Sequence, residues 1–406
     1  MGDDATVTTT GRAPAESGLA AYRDVLRLPG VGAVTALSFG ARIPATAVGV
    51  TVTLHVVLTL GHGFAAAGLV AAAITTGMAV GAPVLGIVVD RFGLRPAVLV
   101  SLVVSGVFWT VAPLLSYTWL LVAALAGGVF ALPVFSLTRQ ILAAAVPEGR
   151  RRPAFALDSM SVEMSYMTGP ALGSLLTLVL GSTVTMRSIG AGFVLVAVAL
   201  LVLDPPVSAA RSGPRPPRPP VREWLRAPLV GALLAVAAAI VAIMGTELAF
   251  IAALTRGGEA WAIAVVNAVW CVASLVGGFL YGAARRDVRL PALLAALGVA
   301  TLPAALGGPW WTFALLLIAA GLCTAPTLAA GSNAVADLAS DRVRGVVAGL
   351  QGSATTAGMA IATPLSGVLV DAASPAVAIV VCGAVALVVA GVSAVLMRSA
   401  QGSTVP

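Results

Sequence analysis

The chain alternates long apolar runs with short polar breaks, and most of its charge sits in the breaks. An apolar run of about 20 residues is the length of a helix that crosses hydrocarbon. Twelve such runs are expected, over residues 30–55, 64–89, 96–116, 118–145, 154–180, 188–203, 228–252, 260–283, 291–306, 311–333, 345–370 and 375–397. Hydrocarbon offers no partner to a loose backbone N–H or C=O, so each run should be a helix. No ten-residue alternation of apolar and polar positions points to a barrel instead. The breaks divide the chain into a disordered cytoplasmic tail (1–27), a six-helix bundle (28–203), a Pro/Arg-rich cytoplasmic linker (204–226), a second six-helix bundle (227–398) and a short cytoplasmic tail (399–406). The linker carries Pro-Arg-Pro-Pro-Arg-Pro-Pro at 214–220, an extended stretch that cannot pack a core. The first apolar run is too long for a cleavable signal and has no cleavage region.

Composition names the solvent. With 59% of residues apolar and 10% charged, the chain has too little polar surface for water and suits lipid. All 23 basic residues are Arg, which fits the codon bias of a GC-rich bacterial genome. If the N-terminus is cytoplasmic, all but four of them fall in segments on that side; Arg187 and Arg256 lie opposite, and Arg42 and Arg139 within spans. That split places both termini in the cytoplasm of a multi-pass protein of the cell inner membrane. The net charge of +7 then reflects topology and anionic inner-leaflet lipid rather than nucleic-acid binding. Cys271, Cys323 and Cys382 are scattered through apolar spans, which suits packing and not a disulfide framework or a metal site. No cofactor is expected. His55 and His62, the only histidines, sit near one rim; there is no His-Glu-x-x-His, no Gly-x-Ser-x-Gly and no phosphate-binding Gly-x-x-x-x-Gly-Lys loop. A membrane-embedded enzyme and an ATP-driven pump are therefore both disfavoured.

Charges inside apolar spans are the candidate chemistry. An Arg at mid-bilayer costs at least ~2.5 kcal/mol on insertion scales, so Arg42 should face protein or water, as a structural ion pair or as a substrate or proton-coupling residue. Pro44, two residues on, cannot donate to the carbonyl of Gly40 and should kink the helix. Arg139 lies about 12 Å from the nearer end of its span, and Asp158 and Glu163 about 8 and 15 Å into theirs. Ser161, Ser165, Gly169, Gly173 and Thr177 recur every four residues, a small-residue stripe that admits a close neighbouring helix. Depth matching suggests that Arg42 meets Glu163 and that Arg139 meets Asp158. Tyr166, Trp109 and Trp270 could line a cavity, and Glu247, Asn267, Asn333 and Gln351 are the polar groups offered by the second half.

The halves repeat. Pro133 corresponds to Pro326, Arg150 to Arg344, Pro170 to Pro364 and Gly173 to Gly367, and the break Gly282–Arg289 is a worn copy of Gly86–Pro96. Two related six-helix halves are what a rocking transporter requires. The break itself, Gly-Ile-Val-Val-Asp-Arg-Phe-Gly-Leu-Arg-Pro, resembles the signature loop between helices 2 and 3 of the major facilitator superfamily. The match runs through Gly86, Asp90, Arg91, Gly93 and Arg95, with Leu94 where a second basic residue is frequent. Gly169-Pro170-Ala171-Leu172-Gly173-Ser174 is similar to the Gly-Pro-x-x-Gly signature of antiporters in that superfamily. The resemblance implies a twelve-helix, all-α fold and a conformational gate in which Asp90 docks on the start of the eleventh helix near Arg344, with Arg91 and Arg95 beside it. It favours export by antiport.

The expected function is secondary transport of a small amphipathic or hydrophobic molecule, most simply proton-coupled efflux of a drug or secondary metabolite by a monomer, with Glu163 as first and Asp158 as second proton carrier. Few amide side chains are present to pair the hydroxyls of a sugar. The alternative is an importer or facilitator of one specific small metabolite.

Overall fold

The computed structural model describes residues 23–28, 30–147, 150–204, 220–283, 288–340 and 343–398. Among them there is no strand. The helices are α1 Val31–Leu54, α2 Phe64–Phe92, α3 Leu94–Val111, α4 Tyr117–Val129, α5 Val134–Ala145, α6 Arg151–Leu180, α7 Ser182–Leu203, α8 Ala227–Arg256, α9 Ile263–Ala283, α10 Leu290–Thr301, α11 Trp310–Asp337, α12 Arg344–Ala372 and α13 Pro375–Arg398. Among the described residues, ten helical segments are long and apolar enough to cross a membrane, α4 and α5 counting as one. Of the other two expected spans, Leu290–Leu306 is a shorter apolar helix, and α6 has 30 residues but a more polar sequence. Residues 1–22 and 399–406 of the tails and 205–219 of the linker lie outside the described residues, whereas 23–27 of the expected disordered tail are ordered, with Val25 buried in an apolar cluster.

Most boundaries follow the apolar pattern, and one expected span does not. The run 118–145 is broken at Phe130–Pro133 into α4 and α5. Pro133 lacks an N–H and its ring opposes the carbonyl four residues back, so the helix stops and restarts. Pro44, by contrast, sits inside an unbroken α1, which continues past Leu54 through a π-helical turn, His55–Thr59.

Helices α1–α7 form one half and α8–α13 the other. Across the midline α2 packs on α12, and α6 packs on α9. Successive spans alternate in direction. We call the end holding Val31 and Arg398 the terminal end and the opposite one the distal end. The second half is built on a single apolar cluster centred on α8, whose Ala232, Ala235, Ala239, Ala242 and Ala249 are almost fully buried. The first half has two clusters instead, one around Val31, Val98, Ile141 and Leu200, the other around Val52, Trp109, Leu120 and Met186. Arg42 on α1 falls between them in sequence, after Ala41 of the first cluster and before Ala47 of the second.

Close helix approach depends on glycine at a few positions. A Cβ on Gly128 of α4 would run into the Ile74 carbonyl and stand 3.1 Å from the Gly77 Cα of α2. Gly128→Val should therefore destabilise the fold by roughly 1–3 kcal/mol through overpacking, read as earlier thermal unfolding in detergent. Gly86→Ala is the contrasting case: an added Cβ meets nothing within 4 Å, and stability should not fall.

Candidate functional site

The face of α6 that carries the small-residue stripe lies against α1. A Cβ on Gly169 would strike Thr46 Oγ1 and the Ile43 carbonyl, and one on Gly173 would come within 2.8 Å of Thr51 Oγ1. Thr46 Oγ1 donates to the Ser165 carbonyl at 2.8 Å, and Ser165 is fully buried. Two helices this close leave no room for water between them. Asp158 and Ser161 stand on the same face of α6 because residues three apart on a helix are neighbours.

Arg42 projects into that seam and is 0% exposed. Its Nη2 donates to Asp158 Oδ1 at 2.7 Å and to Thr138 Oγ1 of α5 at 2.8 Å. Its Nη1 makes longer contacts of 3.4 Å to the Asp158 carbonyl and to Ser161 Oγ. The guanidinium carbon lies 5.5 Å from the centre of the Phe135 ring, a cation–π contact that matters most where water is excluded. Asp158 is itself only 5% exposed, so the pair is desolvated on both sides.

This corrects the expected pairing. Arg42 meets Asp158, not Glu163, and Arg139 does not meet Asp158. Arg139 is exposed, with its guanidinium carbon 5.2 Å from the centre of the Phe155 ring. Glu163 faces the other half, where Ser274 Oγ of α9 donates to its Oε2 at 3.4 Å. Among the described residues it has no cationic partner.

Around Glu163 the two halves meet. Phe135 stacks on Tyr166 at 5.9 Å, and Asn267 Nδ2 of α9 donates to the Tyr166 carbonyl at 3.0 Å. Glu247 of α8 lies within electrostatic reach of both Tyr166 and Cys271, as does Glu163. Trp270 closes the second half's side; its Nε1 donates to Thr324 Oγ1 at 3.0 Å and its ring lies 6.1 Å from Phe250. Arg42, Phe135, Glu163, Tyr166, Glu247, Asn267, Trp270 and Ser274 thus form one belt drawn from five helices.

Two expected members lie elsewhere. Asn333 is exposed near the terminal end of α11, and Gln351 donates to Ser332 at 2.8 Å within the same half. At the loop Gly86–Pro96, Gly93 has φ 86°, a backbone conformation that explains the glycine between α2 and α3. Arg95 makes an exposed 3.1 Å ion pair with Asp204 of its own half, not with α12. The expected docking of Asp90 on the start of α12 involves side chains outside the described residues. Thr138, Ser161, Phe135 and Ser274 were not singled out as site residues from sequence. Ser161 was legible, being three residues from Asp158 on the stripe, whereas Thr138, Phe135 and Ser274 carry no sequence signal of their own.

The family model described as Major Facilitator Superfamily matches residues 34–306 and 260–404. The fold is similar to a bacterial homologue of the human lysosomal transporter Spinster in an inward-facing, unoccupied conformation, with TM-score 0.72, 16% identity, and 97% of this chain and 99% of that one covered. It is also similar to the nucleoside transporter NupG, with TM-score 0.65, 16% identity and 92% and 99% covered. A POT family transporter in complex with 5-aminolevulinic acid gives TM-score 0.64 at 12% identity, with 91% and 96% covered. No curated protein sequence matches the chain.

Removing one partner of a buried ion pair leaves the other charge uncompensated and costs about 3–5 kcal/mol. Asp158→Ala should accordingly lower the melting temperature in detergent sharply. Arg42→Met combined with Asp158→Leu should recover much of that loss, since no charge is then left buried. An additive loss in the double variant would show that the pair is not coupled.

Proposed function

Since the chain belongs to the major facilitator superfamily and is a multi-pass membrane transporter, not an enzyme, we propose that it exports a small amphipathic or hydrophobic molecule by alternating access, driven by protons that Glu163 carries. The observation that supports this is the position of Glu163. It is a half-buried carboxylate with no cation beside it among the described residues, held across the seam between the halves by one long contact to Ser274. Rocking of the halves changes that contact directly. A carboxylate whose hydration and hydrogen bonding change with conformation takes up a proton in one state and gives it up in the other.

Asp158, the second choice from sequence, serves the cycle differently. Its charge is matched by Arg42 within one half, a contact that movement of the halves leaves in place. It fixes α1, α5 and α6 together. The substrate reading rests on the belt, which offers aromatic walls from Phe135, Tyr166 and Trp270 but only Asn267 as an amide. The orientation reading rests on the Arg distribution, which puts the terminal end in the cytoplasm.

Glu163→Gln tests the proposal in proteoliposomes under an imposed pH gradient, screened over chemically varied compounds. Proton-driven substrate movement should vanish while binding of the transported compound stays measurable. Full pH-dependent transport by this variant would remove Glu163 from the mechanism, and substrate-dependent proton flux in the opposite sense would replace efflux by import.

A further inference from the structure

The distal end contains a second charged assembly, at the opposite end of the 29-residue α2 from the Gly86–Pro96 stretch. Helix α2 begins at Phe64, and the residue before it, Gly63, has no side chain with which to cap the first turn. The cap comes from the other half. Asp371, at the distal end of α12, accepts from the Ala65 backbone N–H at 2.7 Å, as a capping Asp of the same chain segment would. Gly63 makes the space for this: a Cβ there would overlap the Asp371 carboxylate.

Arg256 at the end of α8 holds that carboxylate. Its Nη2 pairs with Asp371 Oδ1 at 2.9 Å, and its Nη1 donates to the Val370 carbonyl at 3.0 Å. Its guanidinium carbon also lies 5.5 Å from the centre of the Phe64 ring, on the opposite half. Below this point α2 and α12 touch along their backbones, with Gly68 facing the Thr363 carbonyl and Gly367 facing the Phe64 carbonyl. Phe64, Val50 and Leu54 of the first half accordingly belong to the apolar cluster of the second.

We propose that Asp371, positioned by Arg256, is the distal latch of the transport cycle: it caps α2 from the opposite half only while the distal side is shut, and must let go of Ala65 before that side opens. The inference rests on the alternating-access reading above. A cap within one half would merely stabilise a helix, whereas a cap across the halves is made and broken by their movement. Magnitudes divide the roles. The Arg256–Asp371 pair is exposed, with Arg256 45% and Asp371 27% accessible, so solvent screens it and its direct contribution is small. The bond from the Ala65 N–H, reinforced by the helix dipole, contributes more than the ion pair.

The experiment reads pulsed-EPR distances in lipid nanodiscs between labels on Ser116→Cys and Leu306→Cys. These are exposed distal positions, one on each half, placed in a chain whose three native cysteines are replaced. Asp371→Ala should raise the distal-open population on the order of 5-fold, the change expected for losing one cap. Asp371→Asn, which keeps an acceptor for Ala65, and Arg256→Gln should raise it less, and Gly63→Ala should act like Asp371→Ala. Glu259→Ala is the control for a purely structural effect, because Glu259 caps α11 at Trp310 N (2.8 Å) within one half. It should leave the distances unchanged. If Asp371→Ala leaves the distribution of a protein that does show two distances unaltered, or if Glu259→Ala shifts it equally, the latch is overturned. A single distance in every variant, with no transport, would overturn the alternating-access reading instead.

Discussion

Everything in the first half is arranged around the need to keep one guanidinium out of hydrocarbon. Arg42 is fully buried near the middle of α1, where an unpaired charge would be untenable. The structure answers with a carboxylate, two hydroxyls, a backbone carbonyl and an aromatic face, supplied by α5 and α6. The apolar core yields to this arrangement and separates into two clusters. No buried charge pair interrupts the corresponding helices of the second half among the described residues, and its core is a single cluster.

The same arrangement decides what moves with what. Between α1 and α6 there is an ion pair, a hydroxyl-to-carbonyl bond and two glycines in backbone contact. Between α6 and α9 there are two side-chain hydrogen bonds, one from Asn267 and one of 3.4 Å from Ser274. A seam of the first kind does not shear without breaking a desolvated charge pair. A seam of the second kind gives way at the cost of contacts that water in an open cavity replaces. That difference in strength suits the proposed rocking of whole halves, with α1, α5 and α6 carried as one body.

Much of this was legible in the sequence. Lipid-length apolar runs marked the helices, and Arg42, Glu163 and Glu247 inside those runs marked the belt, whereas Arg139 is exposed. The partner of Arg42 was missed because depth alone was matched: Glu163 sits at a similar depth to Arg42, but a helix also has a phase. Asp158 precedes Ser161 by three residues and shares the face of Ser165, Gly169 and Gly173. Glu163 is two residues beyond Ser161 and points nearly the opposite way round the helix. The stripe already named the face that meets a neighbour, so it already held the answer. The break at Pro133 was hidden for a different reason: apolar residues on both sides of the proline keep the run continuous by composition while the backbone cannot follow.

Phase also separates two carboxylates that look alike in sequence, five residues apart toward the N-terminal end of α6. One is turned inward to its own half and neutralised where water does not reach. The other is turned outward across a seam, with a hydroxyl as its only described partner. Coupling a proton to a conformational change requires a group whose surroundings differ between the conformers, and a charge sealed within a rigid body meets the same surroundings throughout. In the proposed cycle the structural task falls to Asp158 and the conformation-sensitive one to Glu163, and one fact separates them, the five-residue spacing that puts them on different faces of a single helix.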